Sequence, residues 1–565
     1  MKTVKNILHI IIISFMMLGC TEKQVADLVI LNGKVYTVDK SNTIAEAVAV
    51  SGNIIIAIGS SEEIKSYVGT NTNIIDLEGK LMTPGLIEGH GHFMGMGYGL
   101  MSLDFHGTTS YDEIVAKVER AVKEAQPGEW ILGRGWHQSK WVEISGTVVK
   151  GFPTHHRLSE ISPDNPVVLR HASGHALLAN AKALEIAQIT AATEDVEGGE
   201  IIKDKSGNPT GIFNESAMGL IGQYIPENDE ESDRKAFRLA SKNCLKNGIT
   251  SFHDAGEGES TINLFKTILN EEGFSTRLYV MLSGSSESLL DKYYANGPEI
   301  GLNNNFLTIR SIKLFIDGAL GSRGAWLHEP YTDRPGHYGH AVSELSYLQK
   351  VCENAIKYGF QVCTHAIGDR GNKEILDIYE NVLSDNPEKI DLRFRIEHAQ
   401  HLLASDIPRF SELGVIPAMQ AIHMSSDRPW AIDRLGEKRI LEGAYVWQKL
   451  LKSGTKIVNG TDVPVEPISP INCFYASVTR KTLAGMPPEG FEPDQKMNRE
   501  EALRSYTIDA AYGAFEEDIK GSIELGKLAD FTVFSKDIMT IPEDEILSAQ
   551  IDMTIVNGKV LFERE

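Results

Sequence analysis

The sequence predicts an α/β protein, a (β/α)8 TIM barrel joined to a small β-sandwich domain built from both chain ends. Three observations indicate this fold: strand-and-turn patterns near both termini, short apolar strands alternating with helical patterns between them, and polar residues where those strands end. With 565 residues, of which 42% are hydrophobic and 23% charged, the chain can bury one large core and a smaller one. We therefore expect a folded protein of two domains.

The N-terminus is typical of an export signal. A lysine-bearing start precedes an apolar run from Ile7 to Leu18, too short to span a bilayer comfortably, and MLGC ends it at Cys20. Residues 1–19 thus resemble a lipoprotein-type signal peptide, with a lipid on Cys20 anchoring the mature chain to the membrane. The alternative is an ordinary cleaved secretory signal. Both predict export, and the first places the protein in the bacterial cell envelope, facing the periplasm or the exterior.

The two chain ends share one strand pattern. DLVILNGKVYTVD and EAVAVSGNIIIAIG are apolar strands with Asn-Gly and Ser-Gly-Asn turns, and the C-terminal ADFTVFSKD and MTIVNGKVLFERE have the same character. Because chain termini often lie close together, we expect 25–83 and 515–565 to form one split β-sandwich domain.

The region 84–514 has the rhythm of a barrel. Helical patterns such as SYLQKVCENAIKYG separate apolar strands that end in polar residues, as a parallel sheet requires. The segment from about 128 to 240 departs from this rhythm, and we expect it to be an insertion over the barrel mouth. Its tryptophans, Trp130, Trp136 and Trp141, line an apolar pocket or form the insertion's own core. The strand phrases of the barrel are GITSFHDAG, LTIRSIKLFIDGALGS, GFQVCTHAIGD, LRFRIEHAQ, GVIPAMQAIH and GTKIVNGTD.

Charge and cysteine content exclude some functions. The formal net charge is −22 without any basic run, which argues against nucleic acid as a partner. The four cysteines after Cys20 are far apart and form no C-x-x-C pair, so we expect buried free thiols. The sequence does not determine the oligomeric state, and it is compatible with a homo-oligomer.

Two histidines follow the first barrel strand, in LMTPGLIEGHGHFMGMG. His90 and His92 lie two residues apart, so an extended strand presents both imidazoles on one face. Two neutral imidazoles on one face can chelate a metal, although two packed or solvated histidines are the alternative.

Four further polar residues end later strands, and they favour the metal interpretation. Because the C-terminal ends of barrel strands meet at the mouth, these side chains can converge although they are scattered in sequence. Several histidines with one carboxylate suit Zn²⁺ or a similar divalent ion, with an open position for water. The four residues are Lys313, His365, His398 and Asp462.

These motifs, in this order on a barrel flanked by a split β domain, resemble the metal-dependent amidohydrolase superfamily. The phrases KLFIDGALGSRGAWLHEPY, HAIGD and GHALLANAKAL are similar to its amidohydrolase-3 branch, which includes N-substituted formamide deformylases. The resemblance extends from about residue 25 to 560. The sequence departs from the family at Glu88, where Asp is more frequent.

The resemblance implies one or two divalent metals per chain, with Zn²⁺ expected. The implied ligands are His90, His92 and Asp462 for one metal and His365 and His398 for the second.

Lys313 is implied to bridge the metals as a carbamate. Burial lowers the pKa of a lysine, and the neutral amine can then capture carbon dioxide. The alternative is an ion pair of Lys313 with Asp317 or Glu397.

The implied activity is hydrolysis of a small-molecule amide. A water held by the metals would lose its proton near neutral pH and attack the carbonyl carbon of a non-peptide carbon–nitrogen bond in an amide, N-acyl or formamide group. Asp462 would take that proton and return it to the leaving nitrogen. The alternatives are a barrel hydrolase acting on a lactone or phosphoester, and an inactive anchored binding lipoprotein.

Residues of the insertion and of other strand ends are candidates for substrate contact or support. Glu215 is either a supporting residue or a ligand that competes with Lys313 for the bridging role, and His253 and Asp254 could orient ligands. For the two candidates in the insertion, His175 and Asn180, the alternative is a contact at the start of a helix. For Arg323 and His423 the alternative is a position in a solvated loop. The candidate substrate-binding residues are His175, Asn180, Arg323 and His423.

Overall fold

The computed structural model describes residues 25–565 except 106, 139–140, 142–144, 172–175, 197–198, 227 and 387–390. The predicted signal peptide with Cys20, the candidate His175 and the side chain of Glu215 lie outside the described residues. Within the described residues, no helix is both long enough and apolar enough to cross a membrane.

The strands in chain order are β1 Leu28–Leu31, β2 Lys34–Tyr36, β3 Ile44–Ala45, β4 Ala47–Ser51, β5 Ile54–Gly59, β6 Asn73–Asp76, β7 Leu81–Pro84, β8 Leu86–Gly91, β9 Leu103–Asp104, β10 Ile131–Trp136, β11 Val148–Val149, β12 Phe152–Pro153, β13 Val167–His171, β14 Ala176–Ala179, β15 Gly199–Lys203, β16 Pro209–Glu215, β17 Ile249–Glu257, β18 Arg277–Ser283, β19 Glu299–Gly301, β20 Leu307–Phe315, β21 Gln361–Ala366, β22 Arg395–His398, β23 Ile416–Met419, β24 Val458–Asn459, β25 Phe531–Phe534, β26 Ile551–Val556 and β27 Lys559–Glu563.

The α-helices are α1 Ser61–Ile64, α2 Phe93–Met101, α3 Tyr111–Glu124, α4 His156–Ile161, α5 Ala181–Ile186, α6 Gly219–Gly222, α7 Glu230–Lys246, α8 Glu259–Glu271, α9 Glu287–Asn296, α10 Leu302–Asn305, α11 Leu345–Tyr358, α12 Asp369–Ser384, α13 Ile407–Glu412, α14 Ala421–Gly443, α15 Trp447–Ser453, α16 Pro470–Thr479, α17 Arg499–Ser505 and α18 Ile508–Tyr512.

Eight parallel strands form the barrel, in the order β8, β17, β18, β20, β21, β22, β23 and β24. The ends of the first and last strands meet, since the backbone N–H of Asp462 donates to the carbonyl of His90 at 2.8 Å. The predicted barrel is therefore confirmed. Register then sets the site: Lys313 lies opposite Cys363, and Ala366 lies opposite His398, so the ends of β20, β21 and β22 are neighbours.

The helices between barrel strands follow the predicted pattern. Helix α11 buries Leu348, Val351, Cys352 and Ala355, which recur at helical spacing on the face towards the core. It ends at Gly359 with φ +83°, a left-handed conformation that glycine adopts without steric strain.

Both chain ends form one β-sandwich, as the sequence predicts. Strand β25 pairs antiparallel with β7, with Thr532 opposite Thr83, which joins the C-terminal strands to the N-terminal ones in a six-stranded sheet. A second sheet has the order β5, β4, β1, β6, and apolar side chains of the two sheets pack together. The buried pair of Arg277 and Asp530, 2.7 Å apart, links this domain to the start of β18, at the end of the barrel opposite the mouth.

The inserted segment has its own sheet, in the order β15, β16, β14, β13, β10, β9. This sheet begins at Leu103, earlier than the predicted boundary of about 128. Helix α3, which follows the first strand of this sheet, packs its apolar face into the same core. Trp136 and Trp141 are buried in that core, and Trp130 packs against a neighbouring cluster. Of the two interpretations of these tryptophans, the structure shows the insertion's own core.

The remaining cysteines are as expected. All four are buried and carry free thiols, and burial raises the pKa of each. The four are Cys244, Cys352, Cys363 and Cys473.

Candidate metal centre

His90, at the end of β8, is held from behind by a buried ion pair. Its Nδ1 contacts the carboxylate of Glu397, which also accepts hydrogen bonds from Arg395 at 2.7 and 2.9 Å. Because a carboxylate only accepts, Nδ1 carries the proton and Nε2 keeps its lone pair. Burial, together with the charge of Lys313, lowers the pKa of His90 to about 4, so the ring is neutral at physiological pH.

Asp462 follows β24 and lies among the histidines. Its Oδ1 is 3.5 Å from Nε2 of His90 and 3.3 Å from Nε2 of His92, while its Oδ2 is 4.0 Å from Nε2 of His423. Burial raises the pKa of Asp462, but the nearby histidines, His92 foremost, outweigh burial and hold that pKa well below its usual value. The carboxylate is therefore ionised and faces histidines on two sides.

Glu88, at the position where the family more frequently has Asp, has a structural role. Its side chain accepts hydrogen bonds from the backbone N–H of Thr461 at 2.5 Å and from the Thr461 hydroxyl at 3.2 Å. It thereby ties β8 to the segment that presents Asp462. A Cβ at Gly460 would come within 2.5 Å of Glu88 Oε1, so this approach requires glycine. Burial raises the pKa of Glu88 to about 8.

His365 and His398 end the neighbouring strands β21 and β22, with ring centroids 4.5 Å apart. His398 Nδ1 lies 2.7 Å from Oε1 of Gln420, and the Gln420 amide nitrogen donates to the carbonyl of Ala418 at 3.1 Å. His365 Nε2 lies 3.6 Å from Oδ1 of Asp317. Burial lowers the pKa of both histidines, that of His365 to about 3, so both rings are neutral.

Lys313 is buried among these groups, with its Nζ 3.3 Å from Nε2 of His90. Burial lowers its pKa, which favours the neutral amine. It forms no ion pair with Glu397 or Asp317, which are both described residues. Glu397 is occupied by Arg395 and His90, and Asp317 accepts three backbone N–H groups at 2.8 to 3.0 Å.

The donor atoms fit a divalent cation. Two sets of three have their ligand atoms within 4.8 Å of one another, and Asp462 belongs to both. Nε2 of His423 is buried and has no hydrogen-bond partner in the described part of the chain. Neutral imidazoles with a carboxylate are the ligands that Zn²⁺ prefers. The two sets are His90, His92 and Asp462, and His398, His423 and Asp462.

The structure gives each described candidate substrate-binding residue a different environment. Asn180 does not line the site, because it caps α5 and uses its amide to accept from Val167 and Ala183 and to donate to Ser162 and Asn165. This is the helix-start contact that was the alternative for it.

The other two described candidates also differ from expectation. Arg323 is paired with Asp333 through hydrogen bonds of 2.7 and 3.1 Å, which leaves its guanidinium engaged within its own loop. His423 lies among the metal-ligand candidates instead of at the edge of a substrate pocket.

Sequence reasoning missed the support behind His90. Arg395 and Glu397 lie two residues apart on β22, fully buried, and Arg395 also bonds Nδ1 of His253 at 3.0 Å and the carbonyl of Gly89 at 2.7 Å. Charged residues are rarely buried unless paired. Their presence inside the apolar phrase LRFRIEHAQ was the signal that could have found this network.

Asp254, predicted as an orienting residue, accepts the backbone N–H of Phe93 at 2.8 Å. It thereby fixes the first turn of α2, directly after His92.

Comparison with known proteins gives one consistent family. The profile of the Amidohydrolase family matches residues 73–562. Protein LONG AFTER FAR-RED 3 of Arabidopsis thaliana is 35% identical over 556 residues, which cover 95% of this chain and 92% of that protein. N-substituted formamide deformylase of Arthrobacter pascens is 29% identical, with 96% and 99% covered. A solved structure of an uncharacterized metal-dependent hydrolase from Pyrococcus horikoshii OT3 matches with a TM-score of 0.74 and 28% identity, covering 91% of this chain and 99% of that one.

Proposed function

This chain belongs to the amidohydrolase family, and from that premise we propose that it hydrolyses a non-peptide carbon–nitrogen bond in an amide, N-acyl or formamide group. One observation carries the proposal: the imidazoles of His90, His92 and His423 surround the ionised Asp462 at the mouth of the barrel. The similarity to N-substituted formamide deformylase over nearly the whole chain supports the choice of bond.

The residues present would hold one or two divalent ions through His90, His92, His365, His398 and Asp462. Such an ion polarises a carbonyl group and lowers the pKa of water. Around it, Glu397 keeps the proton of His90 on Nδ1, and Gln420 does the same for His398, so that both Nε2 atoms remain available.

Asp462 is the group placed to move a proton. Its oxygens lie within 4.0 Å of three histidine Nε2 atoms, so a water bound beside those atoms is also beside the carboxylate. In the proposed reaction Asp462 accepts the proton of the attacking water and passes it to the leaving nitrogen. Lys313, as a carbamate, would add an oxygen ligand beside His90.

Removal of metal is expected to abolish hydrolysis. Protein purified without chelator should contain about two metal ions per chain, and chelation should lower cleavage of N-acyl and N-formyl amines by at least about 100-fold, with recovery on Zn²⁺ addition. Metal content is read by elemental analysis, and product amine by chromatography.

Lactones and phosphoesters on the same panel serve as the comparison. Zinc-dependent cleavage of these compounds alone would contradict the proposed bond. Absence of both metal and hydrolysis under metal-replete conditions would instead favour an anchored binding lipoprotein.

We also propose that the protein is exported and anchored in the cell envelope by a lipid on Cys20. Cys20→Ser is expected to move the protein from the membrane fraction to the soluble exported fraction, because serine cannot accept the thioether-linked lipid. Fractionation with immunoblotting measures this. Membrane association unchanged by the substitution would contradict the anchor, and soluble wild-type protein would favour the ordinary secretory signal.

A further inference from the structure

We propose that the exposed side of α7, together with a groove beside it, docks on an anionic lipid bilayer and takes one lipid head group into the groove. The inference rests on the proposed export and extends the proposed lipid anchor, because it gives the folded protein a second contact with the same membrane. It does not depend on the metal centre or on the reaction. We call this surface the basic face, and its cations are Lys235, Arg238, Lys242, Lys246 and Lys559.

Four of these cations lie on one side of α7. With 3.6 residues in a turn, positions 235, 238, 242 and 246 fall within an arc of about 80°. All four are exposed, and the three lysines form no ion pair with any described residue, while Arg238 has only a contact of 3.4 Å with Glu272. An anionic bilayer repels a protein with a net charge of −22, so a cluster of unpaired cations decides which side can approach it.

A groove of about 460 Å³ lies beside this side of α7. Arg238 and Lys242 line it from α7, and Lys559 lines it from β27. Glu272 also lines it, but Arg234 pairs with that carboxylate at 2.9 Å. The cations suit a phosphate, and the apolar lining suits the carbon chain next to the head group. The apolar residues are Phe237, Leu245, Phe274, Phe306, Val556 and Leu561.

Ser241 gives a second, independent indication of a ligand in the groove. It lines the groove and is only 5% exposed, and its Oγ has no hydrogen-bond partner among the described residues. A helix offers such a hydroxyl the carbonyl one turn earlier, as on α8, where Thr267 donates to Asn263 at 2.9 Å. A buried hydroxyl left unpaired is unfavourable, and a phosphate oxygen in the groove would accept its proton.

The basic face lies at the end of the molecule that the predicted anchor can reach. Gly558, next to Lys559, packs on Gly52, since a Cβ on Gly558 would lie 2.5 Å from the Gly52 carbonyl oxygen. The backbone N–H of Gly52 in turn donates to Asp27 at 2.5 Å. Cys20 precedes Asp27 by seven residues, which reach at most about 25 Å. A single lipid chain binds a membrane only marginally, so a basic surface held this close would add to the attachment.

The barrel mouth lies at the opposite end. The groove is lined by residues 273–275, which precede β18, and by Phe306, which precedes β20. The Thr554 hydroxyl on β26 donates to the carbonyl of Leu245 at 2.7 Å, which fixes the end of α7 against the β domain. Because the candidate metal ligands follow the other ends of the barrel strands, a bilayer on the basic face leaves the mouth open to a substrate in solution.

The test is sedimentation of residues 21–565 with lipid vesicles. This chain keeps every described residue but lacks Cys20, so a lipid on that cysteine cannot contribute. It should bind vesicles of phosphatidylcholine with about one third phosphatidylglycerol and not those of phosphatidylcholine alone. High salt should weaken binding about tenfold or more, because it screens exposed charges. Lys235→Gln/Lys242→Gln/Lys246→Gln should weaken it about 100-fold, which is about fivefold for each lysine removed.

Lys123→Gln/Lys350→Gln/Lys438→Gln is the matched control. It removes the same charge from exposed lysines of α3, α11 and α14, and it should bind within about twofold of the wild type. Circular dichroism verifies that both triple variants are folded. Amide hydrogen exchange in 235–246 should slow on anionic vesicles, and exchange in 93–101, beside the mouth, should not.

Four results would overturn the inference. Equal weakening in both triple variants would assign binding to net charge, and slowed exchange only beside the mouth would place the bilayer elsewhere. Displacement from the vesicles by inorganic phosphate at the same ionic strength would indicate a site for a free anion. Binding to polyglutamate in solution as strong as binding to vesicles would indicate an acidic protein partner.

Failure of this inference is distinguishable from failure of the proposed function and anchor. A wild-type chain of residues 21–565 that does not bind anionic vesicles overturns the basic face and leaves both the hydrolysis and the anchor standing. Salt releases a contact made through exposed charges but not an inserted lipid. Fractionation of Cys20→Ser in high salt therefore tests the anchor alone.

Discussion

Asp462→Asn is expected to lower amide turnover by about 1,000-fold or more while the barrel remains folded. The amide has the shape of the carboxylate but cannot accept the proton of the attacking water. It also loses the charge that neighbours His90 and His92 at 3.5 and 3.3 Å. Steady-state kinetics on an amide substrate, with thermal unfolding on the same samples, measures both parts of the expectation.

Asp552→Asn is the matched control for this experiment. Asp552 is paired with Lys80 and Arg564 in the β domain, so its substitution removes a carboxylate in an ion pair away from the barrel mouth. Its turnover should stay within about twofold of wild type, since surface ion pairs contribute little. Turnover of Asp462→Asn near the wild-type value would refute the site assignment.

Glu397→Gln is expected to weaken metal binding about 10- to 100-fold and to lower the free energy of unfolding by about 3–5 kcal/mol. Metal affinity falls because a neutral amide accepts the Nδ1 proton of His90 more weakly than a carboxylate does, which makes Nε2 of His90 a less basic ligand. Stability falls because Arg395, fully buried, loses the charge that compensates its own. In the folded protein Arg395 and His90 outweigh burial and lower the pKa of Glu397 below its usual value.

A double variant separates the two effects. In Arg395→Leu/Glu397→Leu both charges are removed, so most of the stability should return. Metal binding should stay weak, because His90 still lacks its acceptor. Recovery of metal affinity together with stability would show that Glu397 acts only on folding and not by orienting His90. Denaturant unfolding and metal titration give the two readouts.

The barrel was predictable from the sequence because most of its strands show a local pattern of apolar residues that ends in polar ones. GITSFHDAG predicted a strand over 248–256, and β17 is Ile249–Glu257; GFQVCTHAIGD predicted one over 359–369, and β21 is Gln361–Ala366. Strand β18, Arg277–Ser283, was not singled out. It ends in Ser-Gly-Ser without a titratable residue, so a search for chemistry at strand ends does not find it.

The inserted segment was harder to interpret, because its motifs serve its own structure. Asn180 lies in a sequence motif that resembles the family, but its side chain caps the N-terminus of α5. Whether a polar side chain faces a substrate or its own backbone depends on contacts made after the chain folds.

By itself the sequence determined the fold class, the family, and the residue types that meet at the barrel mouth. These depend on local patterns, an apolar strand followed by a polar residue, and parallel strands bring such residues to one end. Only the tertiary structure decided which histidines share Asp462, and that Glu397 and Gln420 orient His90 and His398. Those relations depend on distances of a few ångströms between strands far apart in sequence. Barrel closure, which brings Asp462 against His90, and the turn into α14, which brings His423 beside His398, set those distances.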